Sequence, residues 1–174
     1  MRVSAPVLVR DATVHDALAI GAVHAESWRT GHRDLFESHW LAILAERRRG
    51  QWVDRMAAMG AEDVVLVAQR GERVVAFAWY REHPDNRADV QLRSLYAHPT
   101  AWGSGVAQTL LDEVLTAAAS CRRIRLWTLR GATRARRFYT RAGFAETGLI
   151  RERDYGDGRP VLEVEYARRP VALS

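Results

Sequence analysis

The stretch from Val90 to Ala119 constrains the fold more than any other. Val90 to Ala97 reads as a strand ending at His98-Pro99, Trp102-Gly103-Ser104-Gly105 as a glycine turn, and Val106 to Ala119 as a helix with Leu110, Leu111, Val114 and Leu115 inward. A strand that passes directly into an amphipathic helix must lay that helix on a sheet. The flanking segments supply the rest. Val7-Leu8-Val9 reads as a first strand, and Thr13 with Asp16 as the start of a helix carrying Val14, Leu18, Ile20 and Val23. A second helix is expected over Ser38 to Met59, with Leu41, Leu44, Trp52, Val53 and Met56 inward. Val64–Ala68 and Val74–Trp79 form a hairpin across Arg70-Gly71-Glu72. Ile124–Leu129 is a strand, Thr133–Ala142 a helix, Phe144 onward a strand, and Gly156-Asp157-Gly158 turns into a last strand, Val161–Tyr166. The reading is an α/β (α+β) chain, a mixed sheet with helices packed on it, with residues 1–174 as one domain.

Composition excludes several chemistries. All 26 basic residues are Arg and none is Lys, so no P-loop lysine, Schiff-base amine or aldolase-type nucleophile is available. That bias also suggests a GC-rich, bacterial coding background. The single cysteine, Cys121, removes a disulfide framework and a Cys-rich zinc site, and His15, His24, His39 and His98 show no metal-ligand spacing and read as structural. Cys121 lies beside Arg122 and Arg123, which would depress its pKa, yet no His–acid pair accompanies it. No apolar run approaches the ~20 residues needed to span a bilayer, and Met1–Arg10 lacks a leader's apolar region, so a cytoplasmic location is expected. The net charge of +5 raises nucleic acid as a partner, but the Arg residues are spread along the chain among 21 acids, and none is expected.

Gly103-x-Gly105-x-Ala107 points successive backbone N–H groups, with the helix N-terminus behind them, at one concavity suited to a phosphate. Gln108 stands where a dinucleotide fingerprint wants Gly or Ala, and a Walker loop needs Lys. A diphosphate held mainly by backbone remains.

The stretch Leu92-Arg93-Ser94-Leu95-Tyr96-Ala97-His98-Pro99, followed by Trp102-Gly103-Ser104-Gly105-Val106-Ala107-Gln108-Thr109-Leu110-Leu111, resembles the central motif of the GNAT superfamily of acetyl-CoA-dependent N-acetyltransferases. Leu126-Trp127-Thr128-Leu129 and Arg134 to Phe144 resemble that family's following motif, in the same order. The resemblance implies a mostly antiparallel sheet of about seven strands with four helices, and a central splay that takes pantetheine like an extra strand. It implies cofactor contacts at Leu95, Tyr96 and Ala97, a diphosphate cradle from Gly103, Ser104, Gly105, Val106, Ala107 and Gln108, and phosphate or ribose contacts from Arg134 and Arg137. Arg136 and Arg141 are expected to be solvated surface charges. Tyr139 is placed as hydrogen-bond donor or acid to the departing thiolate, with Phe138 in a packing role. The chain departs from the pattern at Trp102, where Gln or Arg is usual, at Gln91, where an acid is common, and at Ala132, where Asn is frequent.

The implied reaction is direct attack of a primary amine of a small molecule on the thioester of acetyl-CoA. Base candidates are His83, Asp89, Glu82 and Gln91 through water. The acceptor wall is expected to be acidic and aromatic, from Trp28, His32, Asp34, Phe36 and Glu37 in one segment and Tyr155, Asp157 and Arg159 in another. Alternatives are a peptide or protein amine as acceptor, and a non-catalytic acyl-CoA sensor that lost its base. Many relatives pair as dimers, with Val161–Tyr166 the candidate edge for a homodimer.

Overall fold

The computed structural model describes residues 5–82 and 88–170. Seven strands form one sheet in the order β1-β2-β3-β4-β5-β7-β6. They are β1 (Val7–Asp11), β2 (Asp63–Arg70), β3 (Arg73–Arg81), β4 (Val90–Ala97), β5 (Ile124–Leu129), β6 (Ala145–Arg153) and β7 (Val161–Arg168). Every pairing is antiparallel except β4 with β5. The helices are α1 (Ala17–Gly31), α2 (Ser38–Gly50), α3 (Trp52–Ala57), α4 (Val106–Ala117) and α5 (Thr133–Arg141).

Alternation along β2 and β3 divides the core into two layers. Leu66, Ala68, Ala76 and Ala78 face α4, whose Leu110, Leu111 and Val114 are fully buried against them. Val65, Val67 and Phe77 face the other way and meet Ile20 and Val23 of α1 and Trp52 of α3. Trp52 is fully buried, and its Nε1 donates to His24 Nδ1 at 3.0 Å. α1 lies so close to α2 that a Cβ on Gly21 would come within 2.2 Å of the Arg49 carbonyl oxygen.

Three expectations are corrected. The second helix is divided at Gln51, which closes α2 and opens α3, because turning Trp52 into the core ends the straight run. Leu18, Val14 and Val53 are 75%, 66% and 52% exposed, since Ala17, Ile20 and His24, and separately Trp52, set the buried faces about 100° away. Strand β7 is no edge: it is bonded to β5 and β6 on its two sides, and the edges are β1 and β6. The capping residues do form a box, with Thr13 N–H donating to Asp16 Oδ2 at 2.8 Å and Arg10 gripping both Asp16 oxygens.

Candidate active site

β4 and β5 pair over two positions, Val90↔Ile124 and Gln91↔Arg125, and then diverge. Beyond that point β4 stays with β3 to Ala97, and β5 stays with β7 to Leu129. A cleft opens between them, lined by Leu95 and Tyr96 of β4, Trp127 and Thr128 of β5, Tyr139 of α5, and Trp28, His32, Tyr155 and Glu163.

The register decides which backbone groups face this cleft. His98 N–H donates to Val75 O at 2.8 Å, and Ala97 lies opposite Ala76. Alternate residues of an antiparallel strand bond to the same neighbour, so Tyr96 also bonds toward β3. Leu95 and Ala97 therefore turn their N–H and C=O groups to the open side. The Ala97 carbonyl accepts from Trp102 Nε1 at 2.8 Å, which ties the glycine turn to the strand end. This is what Trp102 does in place of the usual Gln or Arg.

Gly103 (φ +74°) and Gly105 (φ +82°) have left-handed backbones, and a Cβ on either would meet no atom within 4 Å. Both face open space at the start of α4, where the first-turn N–H groups have no intrahelical acceptor. Ser104 Oγ donates to Ala101 O, Gln108 Nε2 reaches Asp112, and the Val106 side chain is core. These residues and Ala107 thus offer backbone to a ligand. Arg134 lays its guanidinium 3.5 Å over the Trp102 ring, beside the turn, while Arg137 is exposed on the same helix. Arg136 is no solvated charge: its Nε donates to Tyr166 Oη at 3.1 Å and its Nη1 to Arg130 O, tying α5 to β7.

Tyr139 is 8% exposed and lines the cleft, edge-on to Phe138 and Phe144. Burial pushes its phenol well up, and the neighbouring Tyr96 adds to the effect. Across the cleft, Trp28, His32, Phe36 and Tyr155 form an aromatic box, with Trp28 stacked on His32 at 4.2 Å and 5.4 Å from Tyr155. Trp28 Nε1 donates to Tyr96 Oη at 3.1 Å, joining the box to β4. Asp154 Oδ1 accepts from Gly156 N–H and Gly158 N–H, and that turn carries Tyr155 over α2. His32 Nδ1 sits 3.3 Å from Trp28 O, a contact only an N–H can make, so Nε2 is the ring's acceptor. Burial lowers the His32 pKa to about 4 and that of His24 well below its usual value.

Several expected site residues lie elsewhere. Glu37 is spent as the N-cap of α2, accepting from His39 and Trp40 N–H. Burial alone would raise the Asp89 carboxyl, but Arg122 and Arg123 outweigh it and hold it at about 2, and both its oxygens are engaged by arginines. Asp89 instead clamps the closed end of the cleft: Arg125 bonds both Asp89 and Glu165, linking β5 to β7. Gln91 is exposed at that paired end. His83 lies outside the described residues. Burial raises the Cys121 thiol, where its Arg neighbours were expected to lower it.

Sequence reasoning missed two residues: one lines the cleft and the other stacks on its Trp28. Glu163, 4% exposed on β7, is bonded by Tyr155 Oη at 2.9 Å and by Arg151. Arg48 of α2 lies 3.2 Å over the Trp28 ring. Among the described residues no cluster of His, Cys, Asp and Glu fits a metal ion, and no helix is long and apolar enough to cross a membrane.

The model of the Acetyltransferase (GNAT) family matches residues 25–144. An uncharacterized N-acetyltransferase of Mycobacterium tuberculosis strain H37Rv is 35% identical over 86 residues. That match takes in 48% of this chain and 54% of the relative, about half the length of each. A GCN5-related N-acetyltransferase from Rhodopseudomonas palustris superposes with a TM-score of 0.74 at 17% identity, covering 97% of this chain and 99% of that one. The PaiA N-acetyltransferase from Thermoplasma acidophilum, solved with coenzyme A, superposes at 0.69 and 17% identity over 92% and 98%. With the family model spanning more than half of it, the chain belongs to the GNAT family of acetyltransferases.

Proposed function

We propose that this chain transfers the acetyl group of acetyl-CoA to a primary amine of a small molecule by direct attack. The observation that carries the reading is the cleft between β4 and β5, where pairing stops after two positions and the backbone of Leu95 and Ala97 is turned to the open side. An extended pantetheine arm would fit that edge by strand addition, and the turn at Gly103–Gly105, tied to the end of β4 by Trp102, would hold its diphosphate. Acetyl-CoA supplies a carbonyl activated as a thioester.

This chain's groups do the rest. The Leu95 and Ala97 N–H groups, turned to the open side, would be the donors to the thioester carbonyl oxygen. Tyr139 keeps its proton at neutral pH because burial raises its pKa, so it donates a hydrogen bond to the departing sulfur and cannot act as base. The aromatic box of Trp28, His32 and Tyr155 holds the amine and excludes water. His32 stays neutral and presents Nε2 as a hydrogen-bond acceptor that orients the amine N–H, while the proton the amine loses ends on the departing thiol.

Thiol release from acetyl-CoA, followed with a broad amine panel, tests the reading. Amine-dependent release is expected, and Tyr139→Phe should lower kcat by about 10²-fold or more with KM for acetyl-CoA little changed. Tight CoA binding without release for any amine would contradict transfer and favour the acyl-CoA sensor.

A further inference from the structure

The acceptor half of the cleft was expected to be acidic; the aromatic rings that line it carry arginines instead. Arg48 sits between Trp28 and Tyr155, 3.2 Å and 5.6 Å from their ring centroids. Arg153 stacks on Tyr155 at 4.9 Å, and Arg93 lines the cleft from β4, 4.7 Å over Trp79. The acids nearby are already engaged. Glu163 is bonded by Tyr155 and Arg151, with Arg153 at 3.7 Å. Glu37, Asp154 and Asp157 accept from backbone N–H groups.

Arg48 is the most buried of these cations. One N–H of its Nη1 is donated to Leu44 O at 3.0 Å, and among the described residues its other donors meet no carboxylate. Burial is the main influence on it and lowers its pKa to about 10; the charges of Arg153 and Arg55 act in the same direction. A half-buried guanidinium facing rings and like charges is costly unless an anion reaches it. Stacking on Trp28 offsets part of that cost and holds the planar fork in place for a bidentate partner.

We infer that the acceptor amine also carries an oxyanion, a carboxylate or a phosphonate-type group, and that Arg48, set between Trp28 and Tyr155, binds it. This rests on the acetyl-transfer reading and names its substrate class. The anion at Arg48 and the amine near His32 would be held on the two faces of the same Trp28 ring, which spaces the two groups of the acceptor.

The test assays the full chain by thiol release with L-amino acids, each beside its decarboxylated amine, and with aminoalkylphosphonates beside the matching alkylamines. The anion-bearing member of the productive pair should exceed its partner in kcat/KM by at least about tenfold. The carboxylate and phosphonate arms tell the two sources apart. Arg48→Met, which retains the stem, should raise KM for the anionic acceptor by about 10- to 100-fold while KM for acetyl-CoA and Tm hold, and Arg48→Lys should recover part of the loss. Equal turnover of the decarboxylated partners by the wild-type chain would overturn the inference without touching the transfer reading. So would an Arg48→Met loss shared equally by anionic and neutral amines. Release with no amine of any kind would overturn both.

Discussion

Two buried histidines carry the sharpest residue-scale consequence. Burial lowers the pKa of His24 far below its usual value and that of His32 to about 4, whereas both titrate near 6.5 when unfolded. Below pH 6.5 the unfolded chain therefore binds protons that the native chain refuses, so stability falls as pH falls, each histidine contributing up to about 1.4 kcal/mol per pH unit. Asp16 and Asp89 act in the same direction, but only below about pH 4, where unfolded carboxylates begin to bind protons. Denaturant unfolding at pH 7, 6 and 5 should show a slope approaching two protons, reduced to about one in His32→Gln. A flat profile would contradict neutral, buried imidazoles. Asp89 gives a second residue-scale test, because its clamp on Arg122, Arg123 and Arg125 is structural. Asp89→Asn should cost about 1–3 kcal/mol of unfolding free energy with kcat within about twofold of wild type. A large loss of kcat with unchanged stability would restore Asp89 as a base.

At the scale of elements, packing overrides propensity. Gly21 lies inside α1, where Ala would ordinarily gain up to about 1 kcal/mol. Its missing Cβ admits the α2 backbone, with Arg49 O at 2.2 Å from where that carbon would stand. Gly21→Ala should therefore lower Tm by several degrees, as thermal unfolding would show, and a rise would mean that α1 and α2 can separate without cost. What was legible in the sequence follows the same division between local and distant. The strand, glycine turn and helix from Val90 to Ala117 could be read because each step is set by neighbours in the chain. The break at Gln51 was not, since Leu41, Leu44, Trp52 and Met56 are all apolar and only the position of β3 tells which of them turns inward. Glu163 was hidden for a related reason: in Val161-Leu162-Glu163-Val164-Glu165 the acids alternate as on a solvent-facing edge. Flanking β5 and β6 bury them both. Arg48 sits in a run of three arginines that reads as surface, and only the arrival of Tyr155 from the far hairpin makes it part of a wall.

For the whole molecule, one departure from regular pairing organises everything else. The sheet is continuous at the end clamped by Asp89, Arg125 and Glu165 and divided at the other, so backbone donors, the glycine turn, Tyr139 and the aromatic box converge on one opening. The lysine-free composition fits this arrangement, because the turn at Gly103–Gly105 offers backbone groups and the cations beside the cleft are guanidiniums stacked on rings. If the opening receives CoA as an added strand, the amides that change must alternate along β4. Hydrogen exchange followed by NMR, with and without CoA, reads this directly. Exchange at Leu95 or Ala97, or both, should slow at least about tenfold on CoA addition, with Tyr96, already bonded to β3, little changed. Protection of Tyr96 alone, or of neither Leu95 nor Ala97 while CoA binds, would contradict the account.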